Sequence, residues 1–165
     1  MKKILLIIGF SLFSFCSFAV DDYSIYLVRH AEKLMDVKNP ALTACGATRA
    51  EQLADLLSKT GITSIYSTSY QRTMQTATPL SSLKNIAIKN YNPGQLEQFA
   101  LQLRQRKNNA LVVGHSNTTP MLVELLTKQT VAALTEQDYQ YLYQVQFVNE
   151  QPILTVFQQP LNCNS

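Results

Sequence analysis

The chain of 165 residues has only two histidines, His30 and His115. Each stands just after a short apolar run: Ser24-Ile25-Tyr26-Leu27-Val28 before Arg29-His30, and Ala110-Leu111-Val112-Val113 before Gly114-His115. An imidazole can be neutral or cationic near pH 7, and its free nitrogen serves as a nucleophile or a proton carrier. Either histidine alone reads better as a hydrogen-bonded loop or core residue. Two of them after two buried strands are hard to explain by packing. Two arginines sharpen the pattern. Arg29 directly precedes His30, and Arg72 follows a third apolar run, in Ser67-Thr68-Ser69-Tyr70-Gln71-Arg72-Thr73. A guanidinium is a planar fork of donors that matches phosphate oxygens and stays charged at any working pH. The alternative for Arg72 is a solvated residue in the first turn of a helix. A cation there is mildly disfavoured by the helix dipole unless an anion lies nearby. Two imidazoles and two guanidiniums gathered at one place make an oxyanion site.

What gathers them is an alternation of strands and helices. Residues 24–28 read as a buried strand, and 48–59 as an amphipathic helix carrying Ala50, Leu53, Ala54 and Leu57, closed by Gly61. Residues 62–67 form a second strand, and 71–83 a helix in which Pro79 implies a break or kink. An edge strand over 86–91, a helix over 95–107, a buried strand over 110–113 and a helix over 118–127 follow. Residues 141–148 and 153–157 flank Asn149-Glu150-Gln151-Pro152 as a hairpin. The pattern predicts an α/β fold, a three-layer α/β/α sandwich with a mainly parallel sheet. Ligands then sit beyond the carboxyl ends of the strands, where both histidines are expected.

The N-terminal residues have a different character. Lys2 and Lys3, an apolar stretch from Ile4 to Val20 and small residues in Ser17-Phe18-Ala19 have the order of a secretory signal peptide. The reading is a signal over 1–19 and one domain over 20–165, periplasmic or secreted, with no membrane association after cleavage. An uncleaved anchor is the alternative. Lys2 and Lys3 supply two of the three excess positive charges, so the domain itself is close to neutral and nucleic acid is not an expected partner. Cys45 and Cys163 lie in this domain. In an oxidising compartment they can pair or remain free thiols, and spacing alone does not choose between these. No metal-site spacing occurs, so neither a metal nor another cofactor is expected.

Four segments in order carry a family resemblance. They are Arg29-His30-Ala31-Glu32, then residues 42–50 (Leu-Thr-Ala-Cys-Gly-Ala-Thr-Arg-Ala), then residues 66–77 around Arg72, and Val112-Val113-Gly114-His115-Ser116-Asn117-Thr118. Together they resemble the histidine phosphatase (phosphoglycerate mutase-like) superfamily, over about residues 23–126. The resemblance implies a three-layer sandwich and metal-free phosphoryl transfer through a phosphohistidine. His30 would be the nucleophile, with Arg29, Arg72 and His115 holding the phosphate oxygens and Lys33 adding charge at the rim. Ser116 stands where one branch carries an acidic proton donor, which leaves Glu97 as a candidate general acid and Glu32 as either a second candidate or a residue orienting the pocket. Lys33-Leu34-Met35-Asp36 departs from the pattern of mutases, so hydrolysis of a small phosphorylated substrate, such as an envelope sugar phosphate, is the expected activity. Dephosphorylation of proteins, phosphohistidine included, and a catalytically weak phosphate- or phosphoglycan-binding module are the competing readings.

Overall fold

A strand buried on both faces requires cover on both sides of the sheet, and three strands meet that condition. In the computed structural model, which describes residues 22–36, 38–161 and 163, these are β1 (Tyr23–Arg29), β2 (Ser64–Ser67) and β4 (Ala110–Gly114). β3 is Ile88–Asn90, and the parallel part of the sheet runs in the order β3-β2-β4-β1. β5 (Tyr141–Val148) joins β1 antiparallel, and β6 (Gln151–Gln158) folds back on β5 as the outer edge.

Alternate side chains of each central strand feed two cores. On one face, Val28, Ile65, Leu111 and Val113 pack with Leu53, Ala54 and Leu57 of α1 (Ala44–Leu57) and Ala77 and Leu80 of α2 (Gln71–Lys84). On the other, Ile25, Leu27 and Val112 pack with Phe99 and Leu103 of α3 (Leu96–Arg106) and Leu122 and Leu126 of α4 (Thr118–Thr127). Helices on both faces of a sheet that is parallel at its centre give the α/β/α sandwich expected from the sequence.

Local boundaries differ from the sequence reading for identifiable reasons. α1 starts at Ala44, because the Thr43 hydroxyl accepts the Gly46 N–H at 3.0 Å and caps the helix. The small residues 44–47 carry no apolar period, so the pattern alone starts the helix at 48. Gly46 is required by contact, since a Cβ there would lie 2.1 Å from the Glu32 carbonyl oxygen. Gly61 does not close the helix: no described glycine has positive φ, and the chain leaves through a turn in which the Thr60 hydroxyl donates to Leu57 O at 2.6 Å. α2 runs through Pro79 without the expected break, held by the buried Ala77 and Leu80 on either side of it. The hairpin turn is two residues, Asn149 and Glu150, both at positive φ, and Pro152 belongs to the edge strand β6, where a missing N–H is tolerated. The signal-peptide expectation falls on residues outside those described. Cys45 and Cys163, which the sequence left open, are joined as a disulfide with their Cα atoms 5.5 Å apart. This ties the C-terminal tail to the first turn of α1.

Candidate active site

β1 and β4 are paired neighbours, so their carboxyl ends place His30 and His115 side by side. The His30 N–H donates to Gly114 O at 3.0 Å, and the two rings lie 5.6 Å apart, edge to face. Gly114 permits this junction, because a Cβ there would lie within 3.0 Å of the hydroxyls of Thr119, Tyr91 and Thr118. From α2, Arg72 reaches the same edge, and the Thr76 hydroxyl accepts the Ala31 N–H at 3.0 Å, fixing the turn after His30. A cavity of about 440 Å³ opens here, lined by Arg29, His30, Lys33, Tyr70, Arg72, His115, Glu136 and the start of α4 at Asn117 and Thr118.

Hydrogen bonds assign the tautomer of each ring. His30 Nδ1 lies 2.8 Å from the Ala31 carbonyl oxygen, which can only accept, so Nδ1 carries the proton and Nε2 keeps its lone pair. At His115 the order is reversed. Arg72 Nη2 can only donate, at 3.3 Å, so Nδ1 accepts and Nε2–H donates to the Thr68 hydroxyl at 3.0 Å. Thr68 passes the chain to the Thr73 hydroxyl at 2.9 Å, and Thr73 in turn donates to the Thr68 or Tyr70 carbonyl.

Electrostatics favour the same neutral states. His30, 2% exposed, is pushed down to about 3: burial is the main cause, Arg29, Arg72 and His115 add to it, and the bond to Ala31 works against it. His115 is pushed down to about 4 by burial and then by Arg72 and Arg29. Both folded values lie below the ordinary 6.5. As pH falls below 6.5, the unfolded chain therefore takes up protons that the folded one refuses. For the buried His30 this costs the fold up to about 1.4 kcal/mol per pH unit, down towards its folded value. In an NMR titration of the imidazole ring protons, neither histidine should show a midpoint near 6.5, and both should titrate below about 5. A midpoint at 6.5 for either ring would contradict its place in this network.

Arg29, 3% exposed, is held by a segment the sequence did not single out. Its Nη1 donates to Thr135 O at 2.6 Å and, more weakly, to Asp138 O at 3.4 Å, and its Nη2 pairs with Glu136 Oε2 at 3.0 Å. The Tyr139 ring lies 4.2 Å from its guanidinium carbon. The Nε atoms of Arg29 and Arg72 are buried without a protein partner. Arg72 also lies over the Tyr70 ring at 4.6 Å.

The remaining expected residues divide. Lys33 lines the cavity. Glu32 does not; it is gripped by Arg49, which reaches Oε1 from Nη2 at 2.6 Å and both oxygens from Nε at 3.0 Å. That contact holds its carboxylate on Arg49, outside the cavity lining. Glu97 is exposed on the first turn of α3 and lines the adjoining groove with Met121 and Lys128, not the cavity of the histidines. Glu136, Thr68, Thr73 and Tyr139 complete the site without having been read from the sequence. Among the described residues, no group of three or more His, Cys, Asp or Glu is placed to hold a metal ion.

A strand-end histidine pair between two arginines thus stands at the carboxyl edge of the parallel strands. The model of the histidine phosphatase superfamily (branch 1) matches residues 25–92. Over these residues the chain is similar to the histidine phosphatase superfamily. Similar solved structures include the protein histidine phosphatase SixA complexed with tungstate (16% identity, TM-score 0.68, covering 82% of this chain and 97% of that one). The alpha-ribazole phosphatase from Shigella flexneri matches at 14% identity and TM-score 0.69, covering 86% and 100%. The mycobacterial glucosyl-3-phosphoglycerate phosphatase matches at 12% identity and TM-score 0.65, also covering 86% and 100%. None of the curated proteins matches the chain at a significant level.

Proposed function

We propose that this chain is a phosphatase that hydrolyses a small phosphomonoester through a phosphohistidine on His30 and needs no metal. The observation that carries this reading is the tautomer of His30. A nucleophile must present a lone pair, and the Nδ1 bond to Ala31 leaves that pair on Nε2 inside a cationic cavity. Arg29 and Arg72 supply the fixed positive charge that equatorial phosphate oxygens require, which is most of the catalysis available to phosphoryl transfer. His115, held neutral with Nδ1 facing Arg72 and Nε2–H given to Thr68, stands beside His30 as a further wall of the phosphate pocket.

In the first step the His30 Nε2–phosphorus bond forms as the bond to the leaving oxygen breaks, and the departing oxygen gains a proton. In the second, water attacks phosphorus, Nε2 recovers its lone pair, and inorganic phosphate leaves. The reading extends to an exported enzyme acting on a sugar phosphate of the cell envelope. Two features support it: the signal-like order of residues 1–19 and a disulfide, which persists in oxidising compartments. Two similar structures, the glucosyl-3-phosphoglycerate and alpha-ribazole phosphatases, are named for small phosphorylated substrates, and a third, SixA, for a protein one.

The test is to mix the protein with a phosphorus-labelled aryl phosphate and quench in alkali, where phosphohistidine survives. Label is expected on the peptide containing His30, it should be lost on mild acid treatment, and turnover should persist in the presence of a strong chelator. Label that resists acid, or activity abolished by chelation, would overturn the mechanism.

A further inference from the structure

Protonation of the leaving oxygen needs a donor that reaches the cavity, and the two carboxylates expected from the sequence are not placed to supply it. Glu32 is bound by Arg49, and Glu97 faces the neighbouring groove. Among the described residues lining the cavity, Glu136 is the sole carboxylate. Building on the phosphatase reading above, we infer that Glu136 is the general acid of the first step and the base that activates water in the second.

Three features of the loop fit this role. The carboxylate is already at the phosphate-binding edge, with Oε2 3.0 Å from Arg29 Nη2. Its side chain is 71% exposed, so it can turn without disturbing the core. The loop beneath it is anchored independently of that carboxylate. Arg29 Nη1 bonds Thr135 O, and the Asp138 carboxylate accepts from the Thr135 N–H at 2.7 Å and from its hydroxyl at 2.6 Å. The other titratable groups facing the cavity do not fit the role. Lys33 and Arg72 are cations that serve the phosphate, His115 gives its Nε2–H to Thr68 and faces Arg72 with Nδ1, and the Tyr70 ring packs under Arg72.

A dianionic ester arriving at Arg29 displaces the Glu136 carboxylate. Having lost its cation and gained an anionic neighbour, the carboxylate takes a proton from solvent. That proton passes to the leaving oxygen as the Nε2–phosphorus bond forms and the phosphorus–oxygen bond breaks, releasing a neutral alcohol. The carboxylate then takes a proton from the attacking water, oxygen joins phosphorus, the Nε2–phosphorus bond breaks, and Glu136 is ready for another turnover. The net reaction consumes one ester and one water and yields one alcohol and one phosphate.

The experiment compares Glu136→Gln with the unaltered protein on two substrates, an alkyl phosphate and an aryl phosphate with an acidic phenol as leaving group. Glutamine keeps the size of the side chain and an oxygen for Arg29, but it cannot donate and recover an acidic proton. The readout is kcat/KM, which covers the steps up to release of the alcohol. The expected result is a loss of about 100-fold or more on the alkyl ester, the usual scale of general acid catalysis, with the aryl ester little affected. An equal loss on both esters would show that Glu136 acts only through Arg29, and no loss on either would remove it; each result overturns the assignment. So does an alkyl-selective loss in Glu97→Gln with none in Glu136→Gln. An unaltered protein that hydrolyses neither ester would instead overturn the phosphatase reading, and this assignment with it.

Discussion

His30→Ala is expected to lower kcat/KM for an aryl phosphate by at least about 10⁴-fold, because it removes the atom that forms the covalent intermediate. An aryl leaving group departs with little need of a proton, so the loss reports on the nucleophile and not on the acid. The variant should still fold at pH 7, since the anchors around His30 belong mainly to other groups: Thr76 holds the Ala31 N–H, and Gly114 O accepts a backbone N–H that alanine retains. It should also still bind inorganic phosphate, because both guanidiniums remain. That combination separates an enzyme from a module that only binds phosphate, for which the arginines would suffice. Turnover equal to that of the unaltered protein would refute the covalent mechanism.

The second large effect concerns stability. Cys45 and Cys163 are 118 positions apart in sequence, so their bond restricts nearly the whole unfolded domain. A loop of that order removes enough chain entropy to stabilise the fold by about 4 kcal/mol. Reduction, or the pair of substitutions Cys45→Ser and Cys163→Ser, should therefore lower the denaturant midpoint markedly, measured with and without a thiol reductant. The double variant should show no further response to the reductant. A midpoint indifferent to reduction in the unaltered protein would mean that the two sulfurs are not joined.

The central strands and the four basic residues of the site were legible because their signals are local. An apolar run ending in Arg-His or Gly-His names both a strand and what emerges from its end, and parallel pairing of β1 with β4 does the rest. The acid was not legible for the opposite reason. Glu136 sits in a connection without apolar period, 107 positions from Arg29, and nothing near it in sequence marks it as part of the site. A signal did exist in the topology. β5 runs antiparallel to β1 and so begins at the edge where β1 ends, which obliges the chain between α4 and β5 to cross that edge. The hairpin was read, but the direction in which it joins the sheet was not. The disulfide stayed open for a third reason, since sulfur pairing depends on a Cα separation that spacing in sequence does not encode.

The way Arg29 is held has a further consequence. One arm of its fork, Nη1, is committed to backbone carbonyls, while Nη2 is bound only by an exposed carboxylate and Nε has no protein partner. On the proposed mechanism a ligand competes for Nη2 and binds by exchange with Glu136 instead of by filling an empty cationic site. Glu136 is largely exposed, so its carboxylate regains water as it leaves, which offsets part of the cost of the exchange. On that mechanism Glu136 returns to Arg29 once it has given its proton back to solvent, a built-in competitor that favours product release.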